Sequence, residues 1–236
     1  NLSNSWAVIL GGSSGMGLAT AKKLAAHGTN LFIVHRDRRG SMNRIEADFD
    51  EIRAHGVRLF AFNTDALSAE GRQGICTQIA DEIGDGKINV MLHSIALGNL
   101  KPIAPTTSDL DSDENLLREE DFSQTIYNMG TSLLFWVQDL HQRRLFAPDA
   151  RILGLTSEGN EIAWKGYAAV SAAKCALEAV SRSIAKEFAP HGLRCNILQP
   201  GVTDTPALRL IPGSENMKSA AEKRNPFGRL TTPEDV

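Results

Sequence analysis

Residues 7–17 read Ala7-Val8-Ile9-Leu10-Gly11-Gly12-Ser13-Ser14-Gly15-Met16-Gly17, a short apolar run that leads into a cluster of glycines. The apolar run is typical of a buried strand, and residues 16–26 then show the spacing of an amphipathic helix. Because glycine has no side chain, the backbone can turn tightly here, an anion can approach it, and the helix can pack close to the strand. The N-terminus of such a helix presents unpaired N–H groups to the anion. This context predicts dinucleotide binding rather than a plain flexible turn.

The alternation of apolar strands and helices continues along the chain. Continuous apolar strands separated by helices predict a parallel sheet that is covered on both faces. We therefore expect an α/β fold with a doubly wound, Rossmann-type parallel sheet, formed as a single domain by residues 1–236. Ligands of such sheets bind beyond the carboxyl ends of the strands. Further strands are predicted at residues 31–34, 58–63, 88–92, 151–155 and 193–198, and further helices at 69–83, 121–145 and 167–188.

Composition narrows the class of partner. With 236 residues and 42 % hydrophobic content, the chain is long enough for one domain with a buried core. A net charge of −3 does not favour nucleic acid or an anionic membrane surface, so a small molecule is the expected ligand. The sequence contains neither an apolar run of membrane-spanning length nor a charged signal-peptide front, which predicts a cytoplasmic protein. Residues 233–236 resemble the first turn of a helix, so the natural C-terminus is expected to extend further.

The cysteines do not predict a disulfide or a metal site. Cys76, Cys175 and Cys195 are odd in number and lack CxxC or histidine-spaced companions. They are typical of free thiols in a reducing compartment, and burial is the expected environment of all three.

Two polar segments interrupt the alternation of strands and helices. Residues 99–120 and 203–224 are predicted to be long loops at the ligand edge of the sheet, where they would cover a substrate. The first segment has a partial calcium-loop pattern, but a glutamate stands where the sharp turn requires glycine, so a solvated acidic loop without metal is expected. The residues of this pattern are Asp109, Asp111, Asp113, Glu114 and Glu120.

Tyr167 and Lys174 are seven residues apart in the predicted helix 167–188. Seven residues make close to two turns, so both side chains should share one face, roughly 10 Å apart along the axis. A lysine near the ring would favour the phenolate, lower the pKa of the phenol from about 10, and make it a better donor to an oxyanion. The alternative is a packed ring beside a solvated amine.

The second predicted strand ends at His35 and is followed by Arg36-Asp37-Arg38-Arg39. At this place an acidic residue would hold the ribose diol of NAD, whereas a cation would accommodate the 2′-phosphate of NADP. Three guanidinium groups suit the oxygens of a phosphate, so NADPH is the expected cofactor, ahead of NADH. The alternative is a solvated basic loop whose charge Asp37 partly balances.

Taken together, these residues resemble the short-chain dehydrogenase/reductase family over essentially the whole chain. The resemblance implies hydride transfer from a nicotinamide, with Lys174 holding the ribose and Tyr167 donating the proton, in a protein that forms a homotetramer. Its markers are the spacing of Gly11, Gly15 and Gly17, Asp65 after the third strand, Ser157 after the fifth, Tyr167 with Lys174, and the run Pro200-Gly201-Val202-Thr203-Asp204-Thr205.

The resemblance also implies which residues bind the cofactor and which act in catalysis. Asp65 would contact the adenine, and residues 202–205 the nicotinamide amide and the phosphates. The implied catalytic residues are Tyr167, Lys174 and Ser157. The implied cofactor-binding residues are Gly11, Ser13, Ser14, Gly15, Met16, Gly17, His35, Arg36, Asp65, Ala66, Ser94, Ile95, Ala96, Lys174, Pro200, Gly201, Val202, Thr203 and Thr205.

Departures from the common pattern indicate a branch of the family. Most members place the lysine four residues after the tyrosine, but here Lys174 follows Tyr167 by seven residues, and the wider spacing resembles the enoyl-acyl-carrier-protein reductases of fatty-acid biosynthesis. The run His93-Ser94-Ile95-Ala96 resembles the same branch, while the glycine loop has the ordinary family form. Together they are similar to the NADPH-preferring subgroup. The implied substrate is an enoyl thioester carried by acyl carrier protein or coenzyme A.

Geometry gives an independent reason for the wider spacing. In an enoyl thioester the hydride goes to the β-carbon, and the charge develops on a carbonyl oxygen two carbons away. An acid shifted by one helical turn suits that distance better than it suits a ketone. Ser157 is either a second donor to this oxygen or a simple strand-end hydrogen bond. A carbonyl reductase or alcohol dehydrogenase of the same family, or a nucleotide sensor without catalysis, are the alternative functions.

Overall fold

The computed structural model describes residues 2–105, 115–211 and 213–236 and shows one parallel sheet of six strands. The order of the strands across the sheet is β3-β2-β1-β4-β5-β6. The strands are β1 (Trp6–Leu10), β2 (Asn30–His35), β3 (Leu59–Asn63), β4 (Ile88–His93), β5 (Phe146–Leu155) and β6 (Arg194–Leu198). The helices are α1 (Gly15–Ala26), α2 (Met42–Arg53), α3 (Ala69–Ile83), α4 (Glu119–Ile126), α5 (Ser132–Gln142), α6 (Ala168–Glu187), α7 (Pro206–Arg209) and α8 (Ser214–Arg224).

The strand order confirms the predicted doubly wound α/β fold. From β1 the chain adds β2 and β3 on one side of the sheet. It then returns to add β4, β5 and β6 on the other side of β1, so the direction of strand addition reverses between β1 and β4. Leu10 pairs with Val34 on one side and with His93 on the other, so the loops that follow these three strands leave the sheet side by side. Crevices at such a reversal are the usual ligand sites of this architecture.

The two faces of the sheet explain why the strands read as continuous apolar runs. Phe32 and Val34 of β2 point into a core shared with α3, α5 and α6, while Leu31 and Ile33 point into a core shared with α1 and α2. The residues of β1 and residues 31–35 of β2 therefore lose their contact with water whichever way they point, and burial of apolar surface on both sides stabilises the sheet.

The structure differs from the sequence analysis in the helices. Helix α2 was not predicted, because it buries only Ile45, Phe49 and Ile52 and is otherwise charged. The helix predicted over residues 121–145 ends at Gln142 and is interrupted by a π-helical turn at Tyr127–Thr131. A single π-helical turn joins the two α-helical segments without a break in the chain of helical turns, so the sequence was interpreted as one continuous helix.

The loop predicted over residues 203–224 is also corrected, because α7 and α8 occupy most of it. Pro206 takes the first position of α7, where its missing N–H costs nothing, and the Thr205 side chain accepts a hydrogen bond from Leu208 N. Helix α8 is rich in lysine, glutamate and alanine, which favour helix without producing an apolar stripe. The helix was not predicted because a proline and a glycine precede it and it has no apolar periodicity.

Cys76 and Cys195 are buried as expected, but Cys175 is exposed, which corrects the prediction for that residue. All three cysteines are free thiols. In the ranges that the structure covers, His, Cys, Asp and Glu side chains do not gather in threes that could hold a metal ion. Over the same ranges, every helix is too short or too polar to cross a bilayer.

Phe32→Ala should lower the free energy of unfolding by about 3–5 kcal/mol, because it removes a ring that is 0 % exposed and stacks on Trp6 with centroids 4.6 Å apart. Phe227→Ala is the matched control, since that ring is 84 % exposed and its loss should change stability by less than about 0.5 kcal/mol. Urea unfolding followed by tryptophan fluorescence measures both. Equal losses in the two variants would contradict the assignment of Phe32 to the core.

Candidate active site

The glycine loop brings the end of β1 against the end of β4. Gly11 has φ +83° and donates its N–H to Val34 O at 2.8 Å, and a β-carbon on it would collide with the carbonyl oxygen of Ser94. Ser14 is the N-cap residue of α1, but its side chain makes no capping hydrogen bond. The Ser14 side chain therefore leaves the first N–H groups of α1 uncapped, an arrangement that fits the pyrophosphate of a dinucleotide.

One cavity opens at the carboxyl ends of β4, β5 and β6, and it gathers many of the predicted site residues. The others lie along the adjoining ends of β1, β2 and β3: Gly11, Ser13, Ser14, Gly15, Gly17, His35, Arg36, Asp65 and Ala66. Those that line the cavity are Met16, Ser94, Ile95, Ala96, Ser157, Tyr167, Lys174, Pro200, Gly201, Val202, Thr203 and Thr205.

The ammonium group of Lys174 lies under the floor of this cavity. The residue is 7 % exposed, and its Nζ donates a hydrogen bond to Leu155 O, at the end of β5, at 2.7 Å. Burial disfavours the charged form and lowers the pKa of Lys174 to about 8. A lysine whose remaining N–H groups face a crevice is suited to donate to hydroxyl oxygens of a ligand.

Tyr167 occupies the N-cap position of α6, one residue before the helix proper. Its ring is packed closely over Gly159, which has no side chain to displace it. Burial raises the pKa of Tyr167, the charge of Glu158 raises it further, and the neighbouring Ser157 hydroxyl opposes the shift. The expectation that Lys174 lowers the pKa of this phenol is therefore wrong for the free protein, because the ammonium is directed to Leu155 O instead.

The segment that carries Ser157 is fixed by a carboxylate of α6. Oε1 of Glu178 accepts hydrogen bonds from Thr156 Oγ1 at 2.6 Å and from Asn160 Nδ2 at 2.5 Å. Ser157 Oγ is buried beside the Tyr167 phenol, yet within the described ranges no group completes a well-formed hydrogen bond with it. A buried hydroxyl without a partner costs free energy, so a ligand oxygen at this point would gain a hydrogen bond. The role of Glu178 was not foreseen from the sequence, where it is one charge on a helix.

A buried chain of hydrogen bonds supports the cavity from the side of β4. Ser132 Oγ lies 2.9 Å from Asn128 O and 2.8 Å from His93 Nε2. A carbonyl oxygen cannot donate, so the serine gives it its only proton and accepts from His93, which must carry its hydrogen on Nε2. Burial and the nearby charge of Lys174 lower the pKa of His93 to about 3, so this imidazole is neutral. Sequence reasoning had treated His93 only as a family marker.

The mouth of the cavity is apolar and partly covered by α7 and α8. Arg224 of α8 is paired with Glu158 at 2.5 Å, which ties this cover to the segment that carries Ser157. The residues that line the cavity include Met16, Ile95, Trp164 and Leu208. Met129 also lines it, whereas Nδ2 of the neighbouring Asn128 donates to Leu97 O at 3.2 Å.

The other predicted cover, residues 99–120, is described only in part. Leu100 lines the cavity, and Lys101 pairs with Asp121 at 2.6 Å. The acidic pattern at Asp109, Asp111, Asp113 and Glu114 lies outside the described residues, so its expected character as a metal-free loop stays a prediction.

A doubly wound sheet with a glycine loop at its switch point and a buried lysine beside it defines an oxidoreductase of the dinucleotide-binding class. A family model described as enoyl-(acyl carrier protein) reductase matches residues 11–236. The chain therefore belongs to the short-chain dehydrogenase/reductase family, as its motifs predicted.

Individual relatives are distant in sequence but similar in fold. A tropinone reductase homologue of Arabidopsis thaliana is 26 % identical over 98 % of this chain and 80 % of its own length. The crystal structure of an enoyl-[acyl-carrier-protein] reductase (NADH) from Aquifex aeolicus has a TM-score of 0.82 and 24 % identity over 100 % of this chain and 87 % of its own. A short-chain dehydrogenase from Burkholderia cenocepacia in complex with NADP has a TM-score of 0.80 and 24 % identity, covering 99 % and 87 %.

The buried Lys174 predicts a specific dependence of stability on pH. Because its pKa falls from 10.5 to about 8 on folding, the folded state binds fewer protons than the unfolded state between these pH values. The penalty for the buried charge is complete below pH 8 and is relieved as the pH rises. The stability of Lys174→Met relative to the unmodified chain should therefore fall by up to about 3 kcal/mol from pH 8 to 10.5.

Urea unfolding of the unmodified chain and of the variant at each pH measures this difference. Lys186→Met is the matched control, because Lys186 is exposed on the same helix, so its stability difference should stay constant over this range. A constant difference for Lys174→Met as well would show that the ammonium is hydrated in the folded protein.

Proposed function

We propose that this oxidoreductase reduces the trans-2 double bond of an enoyl thioester with NADPH. The observation that carries the proposal is the position of its phenol. The chain has only two tyrosines, and the hydroxyl of Tyr127 accepts a hydrogen bond from Arg72 at 3.1 Å, outside the cavity lining. Tyr167 is thus the available acid, and the position one turn closer to Lys174 is filled by Val170, whose side chain is buried.

This position suits an oxyanion that forms away from the carbon that receives the hydride. When bound, the nicotinamide supplies the hydride. Tyr167 would donate to the thioester oxygen, Ser157 would offer its buried hydroxyl to the same oxygen, and Lys174 would hold the ribose hydroxyls. The raised pKa of Tyr167 keeps the phenol protonated at neutral pH, as a proton donor requires.

The apolar cavity supports an acyl chain as the rest of the substrate. Ligand sites of this kind combine apolar walls with a few well-placed polar groups. Here Ser157, Tyr167 and Lys174 provide the polar groups at one end. The apolar side chains lining the remainder are Ile95, Leu100, Met129, Trp164, Val170, Leu208, Ile211 and Met217.

A carbonyl reductase is the second candidate. Ser157 lies beside Tyr167, and two adjacent donors would also suit a ketone oxygen. The name of the Arabidopsis relative, a tropinone reductase homologue, points to carbonyl reduction in that protein. The spacing of Tyr167 and Lys174 favours the enoyl thioester.

Oxidation of NADPH with crotonyl-coenzyme A should therefore proceed, followed by absorbance at the nicotinamide band and by mass detection of butyryl-coenzyme A. Longer enoyl thioesters and the carrier-protein form serve as further substrates. Reduction of ketones in the absence of any enoyl-thioester turnover would reject the proposal in favour of a carbonyl reductase. Tight binding of the cofactor without turnover of either class would indicate a nucleotide sensor.

Tyr167→Phe should lower turnover about 100-fold or more and leave the affinity for NADPH nearly unchanged, because it removes a donor used in the transition state. Tyr127→Phe is the matched control, which loses only the contact with Arg72 and should keep its turnover. Stopped-flow measurement of the hydride step with both variants separates binding from chemistry. Full activity of Tyr167→Phe would mean that another group protonates the substrate.

The preference for NADPH is a separate part of the proposal. Arg36, Arg38 and Arg39 are exposed after β2, and Arg36 Nη1 lies only 3.6 Å from Asp65 Oδ2 at the end of the neighbouring strand. That pair is solvent-exposed and therefore weak, so the guanidinium remains available to a phosphate. A hydrogen bond to a charged partner contributes about 1.5–3 kcal/mol, which corresponds to a preference of about tenfold to a hundredfold.

Arg36→Ala should remove most of this preference and spare the use of NADH, because only the contact with the 2′-phosphate is lost. The ratio of kcat/KM for NADPH and NADH measures it. Arg194→Ala is the control, since Arg194 begins β6 at the opposite edge of the sheet and should leave the ratio unchanged. A preference for NADH in the unmodified enzyme would show that the arginines form only a solvated loop.

A further inference from the structure

The basic loop after β2 contains a carboxylate as well as three arginines. Asp37 stands between Arg36 and Arg38, both of which are exposed, whereas the side chain of Asp37 is 24 % exposed. A carboxylate at this place in a dinucleotide site holds the ribose diol and repels a 2′-phosphate. The direction in which Asp37 points therefore affects which cofactor the loop favours.

The carboxylate of Asp37 points inward, to a buried histidine. Its Oδ2 lies 2.9 Å from Nδ1 of His35, whose side chain is 1 % exposed. A carboxylate only accepts, so Nδ1 carries the hydrogen. The imidazole also packs edge-on against Phe49, with ring centroids 5.6 Å apart. Because the ring is enclosed in the core, it holds the carboxylate in a fixed direction.

The backbone of Asp37 is held from the next strand. Asn63, the last residue of β3, accepts a hydrogen bond from Asp37 N through Oδ1 at 3.0 Å and donates one to Asp37 O through Nδ2 at 3.2 Å. One side-chain amide thus satisfies both the donor and the acceptor of a single loop residue, as a neighbouring strand would. The loop is tied to the sheet at the residue whose side chain must be kept away from the ribose.

We propose that His35, Asp37 and Asn63 form a positioning device, here termed the Asp37 clamp, that determines cofactor specificity. The clamp withdraws the carboxylate of Asp37 from the 2′ position of the ribose, so that Arg36 meets a 2′-phosphate without repulsion from Asp37. This inference rests on the proposed preference for NADPH. His35 and Asn63 act through Asp37 and need not touch the cofactor.

The test opens the clamp and measures binding of the adenosine half alone. His35→Leu fills the space in the core with an apolar side chain but removes the hydrogen-bond partner of the carboxylate. Titration calorimetry with 2′,5′-ADP and with 5′-AMP reports the contribution of the 2′-phosphate without any turnover. We expect His35→Leu to bind 2′,5′-ADP about tenfold more weakly, by repulsion from the released carboxylate, and to bind 5′-AMP unchanged within about twofold.

A second substitution separates charge repulsion from loss of loop order. In His35→Leu/Asp37→Asn the released side chain carries no charge, so affinity for 2′,5′-ADP should return to within about twofold of the unmodified chain. Asp37→Asn alone should change neither affinity, because the carboxylate already points away from the ligand. The tenfold effect should also shrink at high ionic strength.

Control variants guard against a general loss of structure. His55→Leu makes the same change at an exposed histidine in the turn before β3 and should leave both affinities unchanged. Asn63→Ser opens the other half of the clamp and should also weaken 2′,5′-ADP binding. This variant tests the proposal even if His35→Leu does not fold cooperatively.

Four outcomes would overturn the proposal. Unchanged binding of 2′,5′-ADP in folded His35→Leu and Asn63→Ser, or failure of the double variant to recover, would show that the clamp does not act through the carboxylate. Weaker 5′-AMP binding by Asp37→Asn would show that Asp37 holds the ribose. Equal affinity of the unmodified chain for both ligands would reject the NADPH preference together with the clamp, whereas a clamp failure alone leaves that preference intact.

Discussion

Burial of both faces of the parallel sheet is the constraint on which the rest of this structure depends. Strand residues such as Phe32 and Ile33 enter different cores, so neither face is left for a ligand. Polar groups can meet a ligand only where the strands end and their backbone pairing stops. The glycine loop, the basic loop, Ser157 and Lys174 all lie at that edge. The fold thereby concentrates its chemistry on one rim.

Helix α6 connects the buried face of the sheet to the candidate active site. Its apolar side packs on the sheet through residues such as Leu177 and Ile184, and this contact carries Lys174 below the cavity floor. The same helix presents Tyr167 at its N-terminus and Glu178 to the segment that carries Ser157. A single rigid element therefore sets the relative positions of the three candidate catalytic groups, which a site built on loops would hold less accurately.

Much of the fold and part of the site could be predicted from the sequence. The apolar strands, the glycine loop and the tyrosine with its distant lysine are local patterns, and each identifies its element without knowledge of the others. Helices α2 and α8 were not predicted, because most of their surface faces water and their sequences therefore show little apolar periodicity. The π-helical turn was not predicted because the chain on both sides of it is α-helical, so the segment was interpreted as one continuous helix.

The sequence by itself determined the fold class, the family and the set of residues at the ligand edge, because these follow from local propensity, spacing and residue chemistry. Only the tertiary structure decided what each side chain meets. It directs the ammonium group of Lys174 to Leu155 O. Burial raises the pKa of Tyr167, whereas the sequence predicted that the lysine would lower it. The tertiary structure also turns Asp37 toward His35 and, among the residues it describes, leaves Ser157 Oγ without a well-formed hydrogen bond. Burial and hydrogen-bond partners arise from segments distant in the chain, and they control charge and direction more strongly than spacing along one helix.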